Sequence, residues 1–162
     1  MKKLLLIVSI CLIASNVFAE SKPFQTSLTP AVAIHSKDTR IEGLSLSIWG
    51  ENPQSGGALG IVNGSTGNSS GISLGFINYA ENYTGVEWGA VNFAKGDFIG
   101  FQYGFLNYAK KLKGLQLGFI NVATTAESGL QIGFINVIES NEWFNKFPDE
   151  LAKGMVLINW KF

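Results

Sequence analysis

The chain has 162 residues with 12 basic and 12 acidic side chains, a single cysteine and a single histidine. There is no basic stripe, so nucleic-acid binding is not indicated, and one domain suffices for this length. No stretch beyond the first residues holds enough consecutive apolar side chains for a membrane-spanning helix.

Residues 1–19 read as a secretory signal peptide: Lys2 and Lys3, an apolar run from Leu4 to Ala14, and Val17-Phe18-Ala19 at the cleavage positions. Cys11 lies inside that apolar run. Residues 20–162 then form one β-repeat domain with no cysteine, so an exported chain without disulfides must rely on a core or a membrane. Its balance of 10 basic and 12 acidic residues gives a net charge near −2.

The next segment, 24–34, alternates like a strand but is interrupted by Pro30, and 41–50 is a clearer one. His35 follows, beside Ser36, without the surrounding motif that His/Ser catalysis requires. Six copies of G-x-x-x-G-Φ-Φ-N, with Φ apolar, then cover residues 56–138. Gly60, Gly75, Gly89, Gly104, Gly118 and Gly133 are spaced 15, 14, 15, 14 and 15 residues apart. Each is followed three residues later by Asn63, Asn78, Asn92, Asn107, Asn121 or Asn136. A ten-residue strand and a short polar turn fill this period, which predicts strands at 56–63, 71–80, 85–94, 99–109, 114–123 and 129–138. Glycine inside a strand marks a bend or a close neighbour, and asparagine at a strand end opens turns or bonds its counterparts. Both residue types read as architectural.

Past the repeat, "ESNEWFNKFPDELAKG" at 139–154 predicts a loop or a short interfacial helix beginning near Pro148. The last strand, 153–162, ends in Phe162, with Trp160, Ile158 and Val156 at alternate positions before it. This strand resembles the C-terminal recognition strand of Gram-negative outer-membrane β-barrel proteins. The resemblance implies outer-membrane lipid and the barrel assembly machinery as partners. The serial "GLQLGFIN", "GLQIGFIN", "GISLGFIN" and "GFQYGFLN" units resemble bacterial surface-repeat proteins built from GLQIGLIN-like strands, which implies a cell-envelope location.

The expected fold is therefore all-β: an antiparallel meander closed into a small, about eight-stranded transmembrane β-barrel. The alternative is a β-solenoid in which two repeats, 29 residues, make one coil; a soluble sandwich is the third reading. The expected function is a structural or surface-interaction role in the outer membrane. A secreted or surface-attached binding module is the alternative, ahead of transport or lipid hydrolysis. No catalytic, cofactor-binding or metal-ligating constellation is present in the sequence, and no cofactor is expected.

Overall fold

The computed structural model describes residues 21–162; the predicted signal peptide lies outside the described residues. Seven strands form one sheet in the order β2-β1-β3-β4-β5-β6-β7. They are β1 (Ser21–Thr29), β2 (Val32–Ala33), β3 (Arg40–Asn52), β4 (Gln54–Leu74), β5 (Ile77–Trp88), β6 (Val91–Ile138) and β7 (Gly154–Lys161). β6 runs for 48 residues because it winds through several coils without a break. The chain is a β-solenoid.

Successive coils pair in parallel, with each repeat lying on its own copy. Gly43 pairs with Gly56, Gly71 with Gly85, and Gly85 with Gly100. Asn63 likewise pairs with Asn78, and Asn78 with Asn92. This corrects the expectation of an antiparallel meander closed into a barrel. Hairpins would reverse every second repeat, so an Asn at one strand end would face the start of its neighbour's repeat. Parallel coils instead bring like residues together at each level, which lets amide side chains bond their own counterparts. The coil is also half the size of the solenoid weighed from sequence: one repeat, not two, completes a turn.

The alternation of 15 and 14 has a local cause. Val62 to Ser65 pair with residues 15 further on, whereas Asn68 to Leu74 pair with residues 14 further on. The step falls between Ser65 and Asn68, and the next falls between Ala80 and Tyr83. The additional residue is thus absorbed in the polar linker corner, where Gly67 takes a φ of 59° and no Cβ would meet anything within 4 Å. The repeating faces keep perfect register because the corner takes up the slack.

Period-two alternation also fails at one point in each coil. Gln116 and Asn121, five residues apart, would point to opposite faces of a straight strand, yet both are fully buried. The chain turns at Gly118-Phe119 and resets the alternation. Gly118 has no room for a side chain there: a Cβ would collide with the carbonyl oxygen of Gly104 on the coil beneath. The other glycine row, Gly71, Gly85, Gly100 and Gly114, adopts φ between 122° and 139°, open to glycine but not to L side chains.

The apolar core is small. It stacks Ala80, Ala94, Ala109 and Ala123 beside Tyr83, Phe98, Leu112 and Ala126, with Ile138 at the end. Tyr83 and Phe98 lie parallel, ring centroids 6.4 Å apart. Both ends of the stack depart from the repeat. At the start, β1 pairs in parallel with β3 and turns back at Pro30 into β2; the segment that Pro30 weakened in the sequence reading is a strand after all. At the end, residues 139–153 form turns and no helix, the loop of the two expectations for this segment. They carry Leu151 and Ala152 onto the core, and β7 returns antiparallel to the last coil.

Candidate functional site

Two rows of polar side chains run along the interior. In the first, Asn63 donates to Asn78 (3.0 Å), and the chain continues through Asn92, Asn107, Asn121 and Asn136 at 2.8 Å per step. The second amide hydrogen is used as well: Asn92 donates to Tyr103 O, Asn107 to Leu117 O and Asn121 to Ile132 O. In the second row Gln131 donates to Gln116 (2.8 Å), Gln116 to Gln102 (2.7 Å) and Gln102 to Glu87 (2.8 Å). All these side chains are essentially inaccessible to solvent. Burial in a low dielectric makes each bond count and makes any unpaired amide costly. The rows run in opposite senses, Asn donors toward the C-terminal end and Gln donors toward the N-terminal end, so their side-chain dipoles oppose.

The repeat-defining glycines and asparagines are therefore scaffold. Gly75, Gly89, Gly104, Gly118 and Gly133 stand at one corner of successive coils, and at Gly60, at the start of that row, a Cβ would collide with Ser47 O. The twelve residues singled out from sequence share one fold-defining role.

Glu87 is the exception within the glutamine row. Burial pushes its carboxyl up to about 7, opposed by the bond from Gln102. A carboxyl raised on folding binds its proton more tightly in the folded state. Its contribution is thus fully present below the ordinary carboxylate pKa of about 4.5 and is lost as pH rises through about 7. Glu87→Gln would complete the amide row. Its expected effect is a gain of about 3 kcal/mol at pH 8, shrinking toward acid pH. Urea unfolding at pH 5 and pH 8 checks this; an equal shift at both pH values would refute the linkage.

The exterior is the reverse of the interior. Between residues 56 and 138 the charged side chains are Glu81, Glu87, Lys95, Asp97, Lys110, Lys111, Lys113 and Glu127. Glu87 is inside; the other seven are exposed, and all lie in the linker corner. The remaining outline of each coil is apolar. One sheet face carries Ile72, Leu74, Trp88 and Tyr103, the glycine corner carries Phe76, Phe105, Phe119 and Phe134, and the second face carries Phe93 and Ile135. These are exposed by 37% to 64%, far beyond scattered surface leucines. Phe105, Phe119 and Phe134 stack with centroids 5.0 Å apart and planes within 10°, and Phe93 stacks on Tyr108 at 4.6 Å. Between the corner ridge and the Trp88–Tyr103 row lies an open groove of about 710 Å³, floored by Gly75, Gly89, Gly104 and Gly118. Ala90 interrupts the phenylalanine ridge and deepens it.

This surface was only half visible in the sequence. Strict period-two alternation would put Glu87 and the glutamines on the same face as the ring row Tyr79, Phe93 and Tyr108. The turn at the glycine corner separates them, the rings outward and the amides inward. Trp49 pairs with Val62 and so lies outside the Tyr79 row, though its Nε1 donates to the Tyr79 hydroxyl at 3.2 Å.

The C-terminal strand residues take places on β7. Ile158 pairs with Ile132 and Trp160 with Leu130. Val156 and Phe162 are well exposed, whereas Trp160 is half-buried and donates its indole N–H to Pro148 O at 2.8 Å. His35 belongs to the N-terminal end: its backbone N–H donates to Gln25, and Gln25 donates back to its carbonyl. Among the described residues no group of three potential metal ligands converges. Compared with family models, curated proteins and solved structures, the chain gives no significant match.

Proposed function

We propose that the chain is an exported, non-catalytic β-solenoid of the cell envelope that acts as an interaction module through its apolar exterior. The observation that carries this reading is the segregation of charge across residues 56–138: seven exposed charged side chains confined to one corner, with aromatic and aliphatic rows over the rest of the coil. A chain selected only to be a soluble scaffold would place polar residues on those outward positions, since they contribute nothing to the core. The signal-peptide reading and the surface-repeat resemblance support an envelope location. The interior supplies rigidity for such a module, because each coil is locked to the next by two amide rows as well as by the backbone.

Cell fractionation of Phe105→Thr/Phe119→Thr tests the proposal. Both side chains point outward and threonine suits a strand, so the fold should be kept and the altered chain should leave the envelope fraction for the soluble one. Retention equal to that of the unaltered protein would sink the reading.

A further inference from the structure

The apolar surface does not stop at a groove. Across residues 56–138 it covers one sheet face, passes round the glycine corner along the phenylalanine ridge, and continues onto the second face, leaving only the linker corner charged. In section the coil is a wedge with an apolar edge and a charged back. A second copy or a flat protein partner covers one face and leaves the other in water. A fluid apolar phase covers both faces and the edge together. From the geometry we infer that the occupant is the surface of a lipid bilayer, into which the wedge enters edge first with its long axis lying along the membrane. This rests on the interaction-module reading above and names the partner.

Three further features fit lipid. First, the backbone at the apolar edge is already satisfied. Gly75 N donates to Trp88 O, Phe76 N to Ile61 O, Gly89 N to Tyr103 O and Leu106 N to Ala90 O, at 2.9–3.0 Å. A peptide group entering hydrocarbon needs such a partner, and here the bonds between coils supply it. Second, the phenylalanine rings stack on one another and present their edges outward. Within the ridge both faces of Phe119 are covered by its neighbours. Third, the charged back carries Glu81, Asp97 and Glu127 against Lys95, Lys110, Lys111 and Lys113. It is nearly balanced, so attraction comes from apolar burial and depends little on lipid charge. Six coils at about 4.8 Å each make an edge roughly 29 Å long.

The test is flotation of the exported chain with vesicles of pure phosphatidylcholine, repeated with phosphatidylglycerol added and at high salt. The expected result is flotation in all three. Phe105→Thr/Phe119→Thr should weaken partitioning by about a hundredfold, the scale set by two buried phenylalanine side chains. Its far-UV circular dichroism is measured alongside. As a readout that needs no change at the edge, Trp88 is left as the only tryptophan by Trp49→Phe, Trp143→Phe and Trp160→Phe. Brominated phosphatidylcholine should then quench its emission. Absence of both flotation and quenching overturns the inference, as does binding that appears only with phosphatidylglycerol and vanishes in salt. Self-association by sedimentation without flotation also overturns it. If the Phe105→Thr/Phe119→Thr chain still leaves the envelope fraction in those cases, the lipid assignment fails while the interaction module stands.

Discussion

Asn107→Leu is expected to lower the unfolding free energy by about 4 kcal/mol. Leucine keeps the branched heavy-atom skeleton of asparagine, so no cavity is left and the loss is that of the hydrogen bonds, with the crowding of its bulkier methyl groups added. Asn107 accepts from Asn92, donates to Asn121 and donates to Leu117 O, at 2.8, 2.8 and 3.1 Å. Removing it strands an amide hydrogen on the coil before and two acceptors on the coil after, each at a cost of about 1–3 kcal/mol where water cannot reach. The comparison is Asn82→Leu on the linker corner. Asn82 donates to Asn68 and accepts from Asp97 N near solvent, so about 1 kcal/mol should be lost there. Chemical denaturation of both variants decides the matter. Equal losses would mean that the interior amide row adds nothing beyond an ordinary surface bond.

Gly104→Ala should be at least as damaging, about 4 kcal/mol or more. The new Cβ would collide with the backbone carbonyl oxygen of Gly89 and lie 2.7 Å from Asn92 Nδ2. Neither can yield cheaply: one is the backbone of the coil beneath, and the other belongs to the asparagine row. At Gly154 the same substitution meets nothing within 4 Å and should change stability by less than about 0.5 kcal/mol. Thermal melts of the pair provide the check. A Gly104→Ala protein melting with the Gly154→Ala protein would show that coils can separate to admit a methyl group at the corner.

These two residue types explain what the sequence could and could not reveal. The period, the all-β class and the architectural role of glycine and asparagine were legible, because each repeat carries them at fixed spacing. The direction of pairing was not. A strand and turn of 14–15 residues fits a hairpin arm as well as a complete coil, and only the turn at Gly118, which places Gln116 and Asn121 on the same inner side, distinguishes them. That turn leaves a weak trace in sequence: two adjacent bulky residues after the glycine, as in Phe119-Ile120, where strict alternation would place a polar one. The exterior was hidden for a related reason. Apolar residues on a strand are ordinarily assigned to a core, whereas here amides fill the inside and the hydrophobic rows face out.

The reversed direction of β7 has a consequence for what can stack on the last coil. Stacked parallel coils of near-identical sequence are an open template, since any further coil, from the same chain or another, could dock in register on the last one. β7 lies antiparallel across that last coil, Gln131 opposite Asn159 and Ile132 opposite Ile158, and residues 139–153 fold over the remainder. The next strand to arrive would meet the wrong polarity and a broken amide row. β7 thus caps this side of the stack, so that a further parallel coil cannot dock in register on the last repeat.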